Sequence, residues 1–175
     1  MRSGRNKLRR VRPTLLAVGE GDTEEAFLRH LRELYCSDGA GVAVTIRNAR
    51  GKGPEHVVDH AMGQCRDADY DHRLTLLDTD LPWTATLCKR ARKHRIRMLG
   101  STPCLEGLFL TVLGSPPAEG IGSAECKKRL RDRTGNDMTE KSHYDALFTK
   151  PVLEEARGRV PVLDELLQCL EGLLP

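Results

Sequence analysis

The sequence has few aromatic residues and no long apolar run. Aromatic side chains make up 4% of the 175 residues, so a core must rest on leucine, valine, isoleucine and alanine. No apolar stretch approaches the roughly 20 residues that a membrane-spanning helix needs. The basic first residues are not followed by an apolar segment of signal-peptide form. We therefore expect a cytoplasmic protein with no membrane contact.

Paired-cysteine motifs are also absent. The chain has six cysteines, but none of them forms a C-x-x-C pair. Without a secretory signal, a disulfide framework is not expected in such a chain. We therefore expect reduced thiols at all six positions.

Positive charge is concentrated in a few segments. Residues 1–12 carry six Lys or Arg and no acid, whereas the net charge of the whole chain is +3. Further basic runs occur at 89–97 and 127–133. Basic clusters on an otherwise mildly acidic body favour contact with a polyanion such as nucleic acid. The length suits one domain, so we expect a basic tail (1–12) and a single domain (13–175).

Strand and helix patterns alternate along the first two thirds of the chain. Such alternation predicts an α/β fold with a parallel sheet and helices on both faces. After residue 115 only helical patterns remain. The predicted strands are 14–19, 41–47, 72–80 and 96–101, and the predicted helices are 22–37, 54–65, 83–94, 103–114, 123–132, 137–148 and 161–173.

Carboxylates follow the predicted strands. Glu20 stands between two glycines after the first strand, Asp78 and Asp80 end the third, and Glu106 follows the fourth by one helical turn. Functional groups of a parallel sheet gather at the carboxyl ends of its strands. Two aspartates two residues apart in a strand point the same way, and oxygen ligands at this density suit Mg²⁺ or Mn²⁺. We therefore expect a metal site there. Separately, we expect Asp22 or Thr23 to cap the first helix.

Three motifs in order resemble a known family. The segments "GEGDTE" (19–24), "LLDTD" (76–80) and "STPCLE" (101–106) are similar to the E-G-x-x-T-E, D-x-D and S-N-P-C-F-E motifs of RloB-like proteins, which belong to the Toprim superfamily. Thr102 departs from this pattern, since the family favours Asn at that position. The resemblance implies a Toprim-like Rossmannoid fold, with about four mainly parallel strands sandwiched by helices and a helical C-terminal part.

The resemblance also implies an activity, namely a metal-dependent nuclease that often serves in defence against phage. In that case Glu20 is the general acid/base, and Asp78 and Asp80 hold Mg²⁺, with Mn²⁺ as the alternative ion. Glu24 and Glu106 are candidates for further metal ligation or for orienting the site. The expected partners are RNA or DNA and a regulatory ATPase or sensor protein.

Basic residues near the predicted site are candidates for contact with the nucleic-acid backbone, together with polar residues that follow the fourth strand. The set is Lys89, Arg90, Arg92, Lys93, Ser101 and Lys141.

Two other functions fit parts of the sequence. A haloacid-dehalogenase-type phosphatase also has an apolar strand ending in D-x-D and a later strand ending in Ser, here Ser101. That interpretation leaves Glu20 without a role, and Pro82 stands where that family has Thr or Val. The other alternative is a non-catalytic Toprim subunit that binds nucleic acid or a protein partner.

Overall fold

A four-stranded parallel sheet forms the centre of the protein. The computed structural model describes residues 11–37, 41–135, 138 and 140–173, so most of the basic tail lies outside it. The strands stand in the order β2-β1-β3-β4, and every neighbouring pair is parallel. This confirms the predicted α/β class. The strands are β1 (Thr14–Gly19), β2 (Ala43–Asn48), β3 (His72–Asp78) and β4 (Ile96–Ser101).

Helices cover both faces of the sheet and form the C-terminal part. Among the described residues, no helix is long and apolar enough to cross a bilayer. One helix, α7, was not predicted, because its eight residues bury only Leu153 and Ala156. The helices are α1 (Asp22–Tyr35), α2 (Gly53–Asp67), α3 (Ala85–Lys93), α4 (Leu105–Val112), α5 (Ser123–Thr134), α6 (Lys141–Leu147), α7 (Lys150–Arg157) and α8 (Pro161–Glu171).

The central strand β1 divides the core into two parts. Leu15 and Ala17 pack into a large cluster with α1, α4 and the C-terminal helices, whereas Leu16 and Val18 pack into a smaller cluster with α2 and α3. A strand buried on both faces reads as one continuous apolar run, which is why β1 is visible in the sequence. All six cysteines are free thiols, as expected.

Most of the scarce aromatic residues lie in the large cluster. All three phenylalanines, Phe27, Phe109 and Phe148, pack around Tyr144, with ring centroids 4.8–6.1 Å apart. Tyr144 lies within the predicted helix 137–148, and its side chain is fully buried. Its hydroxyl lies 2.6 Å from the carbonyl oxygen of Met138, which supplies the hydrogen-bond partner that a buried tyrosine requires.

The start of α1 also differs from the prediction. Neither Asp22 nor Thr23 is the N-cap, since the helix begins at Asp22 and Gly21 precedes it in an extended conformation. The carboxylate of Glu24 reaches back and accepts a hydrogen bond from the Gly21 amide at 2.8 Å. This is one half of a capping box, so the N-cap residue needs no polar side chain of its own.

The third strand is shorter than predicted. It ends at Asp78, opposite Ser101, the last residue of β4. The next amide, that of Thr79, donates to the carbonyls of Ser101 and of Pro103, beyond the end of β4, at 3.0 and 3.1 Å. The strand alternation that was expected to align Asp78 with Asp80 therefore does not continue to Asp80.

A close approach between β1 and α1 gives the first mutational prediction. A Cβ on Gly19 would lie 2.7 Å from the Cβ of Glu24, which is closer than carbon atoms approach. We expect Gly19→Ala to lower the free energy of unfolding by about 1–3 kcal/mol, the usual cost of overpacking. Gly63→Ala is the matched control: nothing lies within 4 Å of its Cβ, and alanine in a helix should stabilise by about 0.5–1 kcal/mol. Urea unfolding measures both, and equal effects would contradict the contact.

Candidate functional site

The order of the strands creates a crevice at one edge of the sheet. The connection that follows β1 leads to β2 on one side, and the connection that follows β3 leads to β4 on the other, so the two diverge beyond the carboxyl ends of β1 and β3. Open α/β sheets bind ligands at such a switch point. Glu20 directly follows β1, and Asp78 is the last residue of β3. The structure therefore brings these two predicted residues to the same place.

Backbone hydrogen bonds fix Glu20 across the end of β3. Its amide donates to the carbonyl of Leu76 at 3.2 Å, and its carboxylate accepts a hydrogen bond from the amide of Asp78 at 3.3 Å. On the other side, its carbonyl accepts a hydrogen bond from Gly51 at 2.7 Å. The side chain of Glu20 thus points toward β3 and not toward solvent alone.

Two helices bring further carboxylates to the crevice. Glu24 lies in the first turn of α1 and is 7% exposed, while Glu106 lies in the first turn of α4. The amide of Leu105, at the start of α4, donates to the Asp78 carboxylate at 3.0 Å. Amides at a helix start are free to bind anions, so α4 compensates part of the charge on Asp78.

Burial and like charges act together on the carboxylates. They raise the pKa of Asp78 to about 8, first through burial and then through the charges of Glu24, Glu106 and Glu20. Burial also raises the pKa of Glu24, with smaller effects of Glu106 and Glu20. The four side chains therefore form one electrostatic group, which we call the carboxylate cluster (Glu20, Glu24, Asp78 and Glu106).

Asp80 is separate from the carboxylate cluster. It is exposed, and its carboxylate accepts a hydrogen bond from the hydroxyl of Ser123 at 2.9 Å, at the start of α5. This contact directs one oxygen of Asp80 to α5, and the expectation that Asp80 shares one metal with Asp78 stays a prediction, which the Asp80→Asn variant tests below.

A lysine that was not predicted as a site residue also contributes to the charge balance of the cluster. Lys127 of α5 stands beside the cluster, and the negative charge of Glu106, ahead of that of Asp78 and Glu24, raises its pKa. The basic run at 127–133 was the available signal. The packing of α5 on α4, which selects Lys127 from that run, could not be read from the sequence.

The donor set of the cluster fits a hard divalent cation. Within the described part of the chain, no three His, Cys, Asp or Glu side chains are arranged to hold one metal ion. Mg²⁺ does not need such a cage, since it usually takes one or two carboxylates together with waters and substrate phosphates. Asp78 and Glu20 each have one oxygen fixed by a backbone amide, and the other oxygen lies outside these bonds.

The basic run at 89–97 lies mostly away from the cluster. Helix α3 returns the chain from the carboxyl end of β3 to the amino end of β4, so its basic last turn approaches the opposite edge. There Arg92 and Arg95 line a cavity of about 680 Å³ together with Arg73, near the start of β3. Lys89 and Lys93 are exposed on the same helix.

The other predicted nucleic-acid contacts have different surroundings. Arg90 forms an ion pair with Asp59 of α2 at 3.1 Å. Ser101 is fully buried, so its side chain is not accessible to a nucleic-acid strand in this structure. Lys141 pairs with Glu33 of α1 and with Asp145.

The raised pKa of Asp78 predicts a pH dependence of stability. The unfolded aspartate loses its proton near pH 3.8, whereas the folded one retains it to about pH 8. Between these values the folded state binds more protons, so without divalent metal the free energy of unfolding should fall as pH rises from about 4 to about 8.

Asp78→Asn should flatten this slope, because asparagine keeps the oxygen that accepts from Leu105 but carries no charge. Asp80→Asn is the matched control and should leave the slope unchanged. Urea unfolding at several pH values in EDTA measures it, and an identical slope in Asp78→Asn and wild type would contradict the account.

Comparison with known proteins identifies no family for the chain. No family model matches it, and no match was found among the curated proteins or the solved structures. The similarity to RloB-like proteins therefore rests on the three short motifs alone.

Proposed function

We propose that the protein is a metal-dependent nuclease whose active centre is the carboxylate cluster. One observation carries this proposal: Asp78 is held beside Glu20, Glu24 and Glu106 at the switch point of the sheet, with a pKa raised to about 8. Like charges at such density are unfavourable unless a cation or protons neutralise them. The motifs that resemble the RloB-like family fall on this cluster, which supports the same chemistry.

Asp78 and Glu20 are the residues that would hold the ion, and Glu24 is a candidate for further ligation or for orienting them. A bound Mg²⁺ or Mn²⁺ would neutralise charge on a phosphate oxygen and would lower the pKa of a bound water. The protein's own contribution is orientation, because the amides of Leu105 and Asp78 restrain the two carboxylates. Rigid carboxylates lose little freedom when substrate binds, which lowers the barrier of the reaction.

Proton transfer is assigned to Glu20. Its carboxylate lies at the crevice, and the free oxygen is the one that would hold the ion. The oxygen that accepts from the Asp78 amide keeps a second lone pair, which can take a proton from water or give one to a leaving oxygen. Lys127, beside Glu106, places a positive charge where a phosphate would enter. The substrate is RNA or DNA. The family resemblance supports a role in antiviral defence, and we propose an ATPase or sensor protein as the regulator.

Metal binding predicts a gain in thermal stability. At pH 8, Mg²⁺ or Mn²⁺ at 100 times its Kd should stabilise the wild type by about 2.7 kcal/mol, because only the folded state has the site. Asp78→Asn should remove this gain, whereas Asp80→Asn should retain it. Thermal melts with metal and with EDTA measure the difference. If both variants respond like the wild type, Asp78 is not a metal ligand.

Substitution of Glu20 tests the catalytic assignment. Glu20→Gln keeps the size of the side chain but removes proton exchange, so cleavage of labelled RNA or DNA should fall by about 10²–10⁴-fold while binding stays near the wild-type value. Glu119→Gln, at an exposed position, is the control and should cleave normally.

Full activity in Glu20→Gln would show that this carboxylate is not the acid/base group. A wild type that binds nucleic acid but cleaves none with Mg²⁺ or Mn²⁺ would favour the non-catalytic subunit instead.

A further inference from the structure

The loop between β2 and α2 has an unusual backbone. Four consecutive residues have positive φ: Arg50 (61°), Gly51 (76°), Lys52 (73°) and Gly53 (81°). Glycine adopts this left-handed region freely, but a residue with a Cβ does so at a cost in energy. Residues with side chains normally visit it one at a time, and here two long cationic side chains occur within one turn. We call residues 50–53 the left-handed turn.

The third non-glycine residue with positive φ in the described ranges has an ordinary explanation. Arg95 (54°) follows the C-cap of α3, and its amide donates to the carbonyl of Arg92 at 3.0 Å. A left-handed residue is common directly after a helix. Lys52 instead precedes a helix as its N-cap, where an extended conformation is usual, and no helix precedes Arg50.

Hydrogen bonds attach the left-handed turn to the carboxylate cluster. The amide of Gly51 donates to the carbonyl of Glu20 at 2.7 Å, and the amide of Arg50 donates to the side chain of Asn48 at 2.7 Å. The same Asn48 side chain donates to Asp22, at the start of α1, at 2.7 Å. The turn is therefore restrained on both sides, and strained backbone persists where its surroundings restrain it in this way.

The side chains of the turn are available to a ligand. Arg50 and Lys52 are both exposed, and within the described ranges neither side chain forms a hydrogen bond or an ion pair with the protein. Glycine at either position would keep the turn and relieve its strain. Packing therefore gives no reason for a cation at either position. The charge of Arg50 also acts on Glu25 of α1, but that carboxylate already pairs with Arg29. A negatively charged ligand at the carboxyl edge of the sheet would account for both cations.

We propose that the left-handed turn binds the phosphates of a nucleic-acid strand and presents that strand to the carboxylate cluster. Its two cations stand two residues apart on a restrained backbone, directly beside Glu20. Contact with successive phosphates releases counterions, which is the main source of affinity for a polyanion. The inference that the turn binds a strand depends only on the geometry of the turn. The inference that the bound strand is cleaved rests on the proposed nuclease function.

A double glycine variant separates binding from stability. In Arg50→Gly/Lys52→Gly we expect the affinity for a fluorescein-labelled single-stranded oligonucleotide in EDTA to fall about 10–30-fold at 0.1 M salt. The slope of log K against log salt should fall by about 1.4, which is about 0.7 for each lost phosphate contact. The same variant should have a Tm equal to or a few degrees above that of the wild type, because glycine relieves the strain.

The chain provides a matched control. Arg95→Gly makes the same chemical change at the same type of backbone position, but at the opposite edge of the sheet. Arg95 belongs to the basic run 89–97, but it lines the cavity at the opposite edge, so its loss should leave the affinity and the salt slope of a strand bound at the left-handed turn unchanged. The charge-conserving variant Arg50→Lys/Lys52→Arg should bind like the wild type.

Several results would overturn the inference. They are wild-type affinity in the double glycine variant, an equal loss of affinity in Arg95→Gly, a Tm well below that of the wild type, and no oligonucleotide binding by the wild type. Because the assay contains EDTA, it does not depend on cleavage. If binding depends on the turn but no cleavage is found with Mg²⁺ or Mn²⁺, the proposed nuclease function is contradicted and the proposed binding site is still supported.

Discussion

The candidate site depends on the burial of Asp78 among other carboxylates at one edge of the sheet. Burial, and then the charges of Glu24, Glu106 and Glu20, hold the pKa of Asp78 near 8. Backbone amides compensate only part of this charge, so the folded protein retains a site that favours protons or cations. Positive groups surround it: Lys127 on one side and the left-handed turn on the other. A negative centre with cations around it suits a metal ion and a phosphate bound together.

Much of the fold could be predicted because the signals are local. The apolar run of β1 and the alternation of strands and helices were sufficient to predict a parallel sheet. Helix α7 was not predicted because it buries only Leu153 and Ala156, and two positions are too few to show a helical periodicity of apolar residues. The burial of Tyr144 could not be foreseen either, since it depends on phenylalanines from α1 and α4 that are distant in the sequence.

The part of the site that depends on strand order could be predicted from the sequence. Glu20 and Asp78 follow adjacent parallel strands, so their proximity follows from the strand order. The contact of Asp80 with Ser123 could not be predicted in the same way, since it joins the end of β3 to a helix more than forty residues later. Lys127 enters the site through helix packing, and the strained conformation of residues 50–53 depends on contacts with α1 and β1. Such tertiary contacts leave no periodic pattern in a single sequence.

The central claim is that the carboxylate cluster binds a divalent cation through Asp78 and Glu20. A crystal grown at pH 8 with Mn²⁺ and measured at the manganese absorption edge tests this claim directly, because the anomalous signal locates the ion independently of any model of the protein. The account predicts one strong anomalous peak within coordination distance of the Asp78 carboxylate, at the carboxyl ends of β1 and β3. Bound manganese found only elsewhere on the protein, with no peak at Asp78, would contradict it.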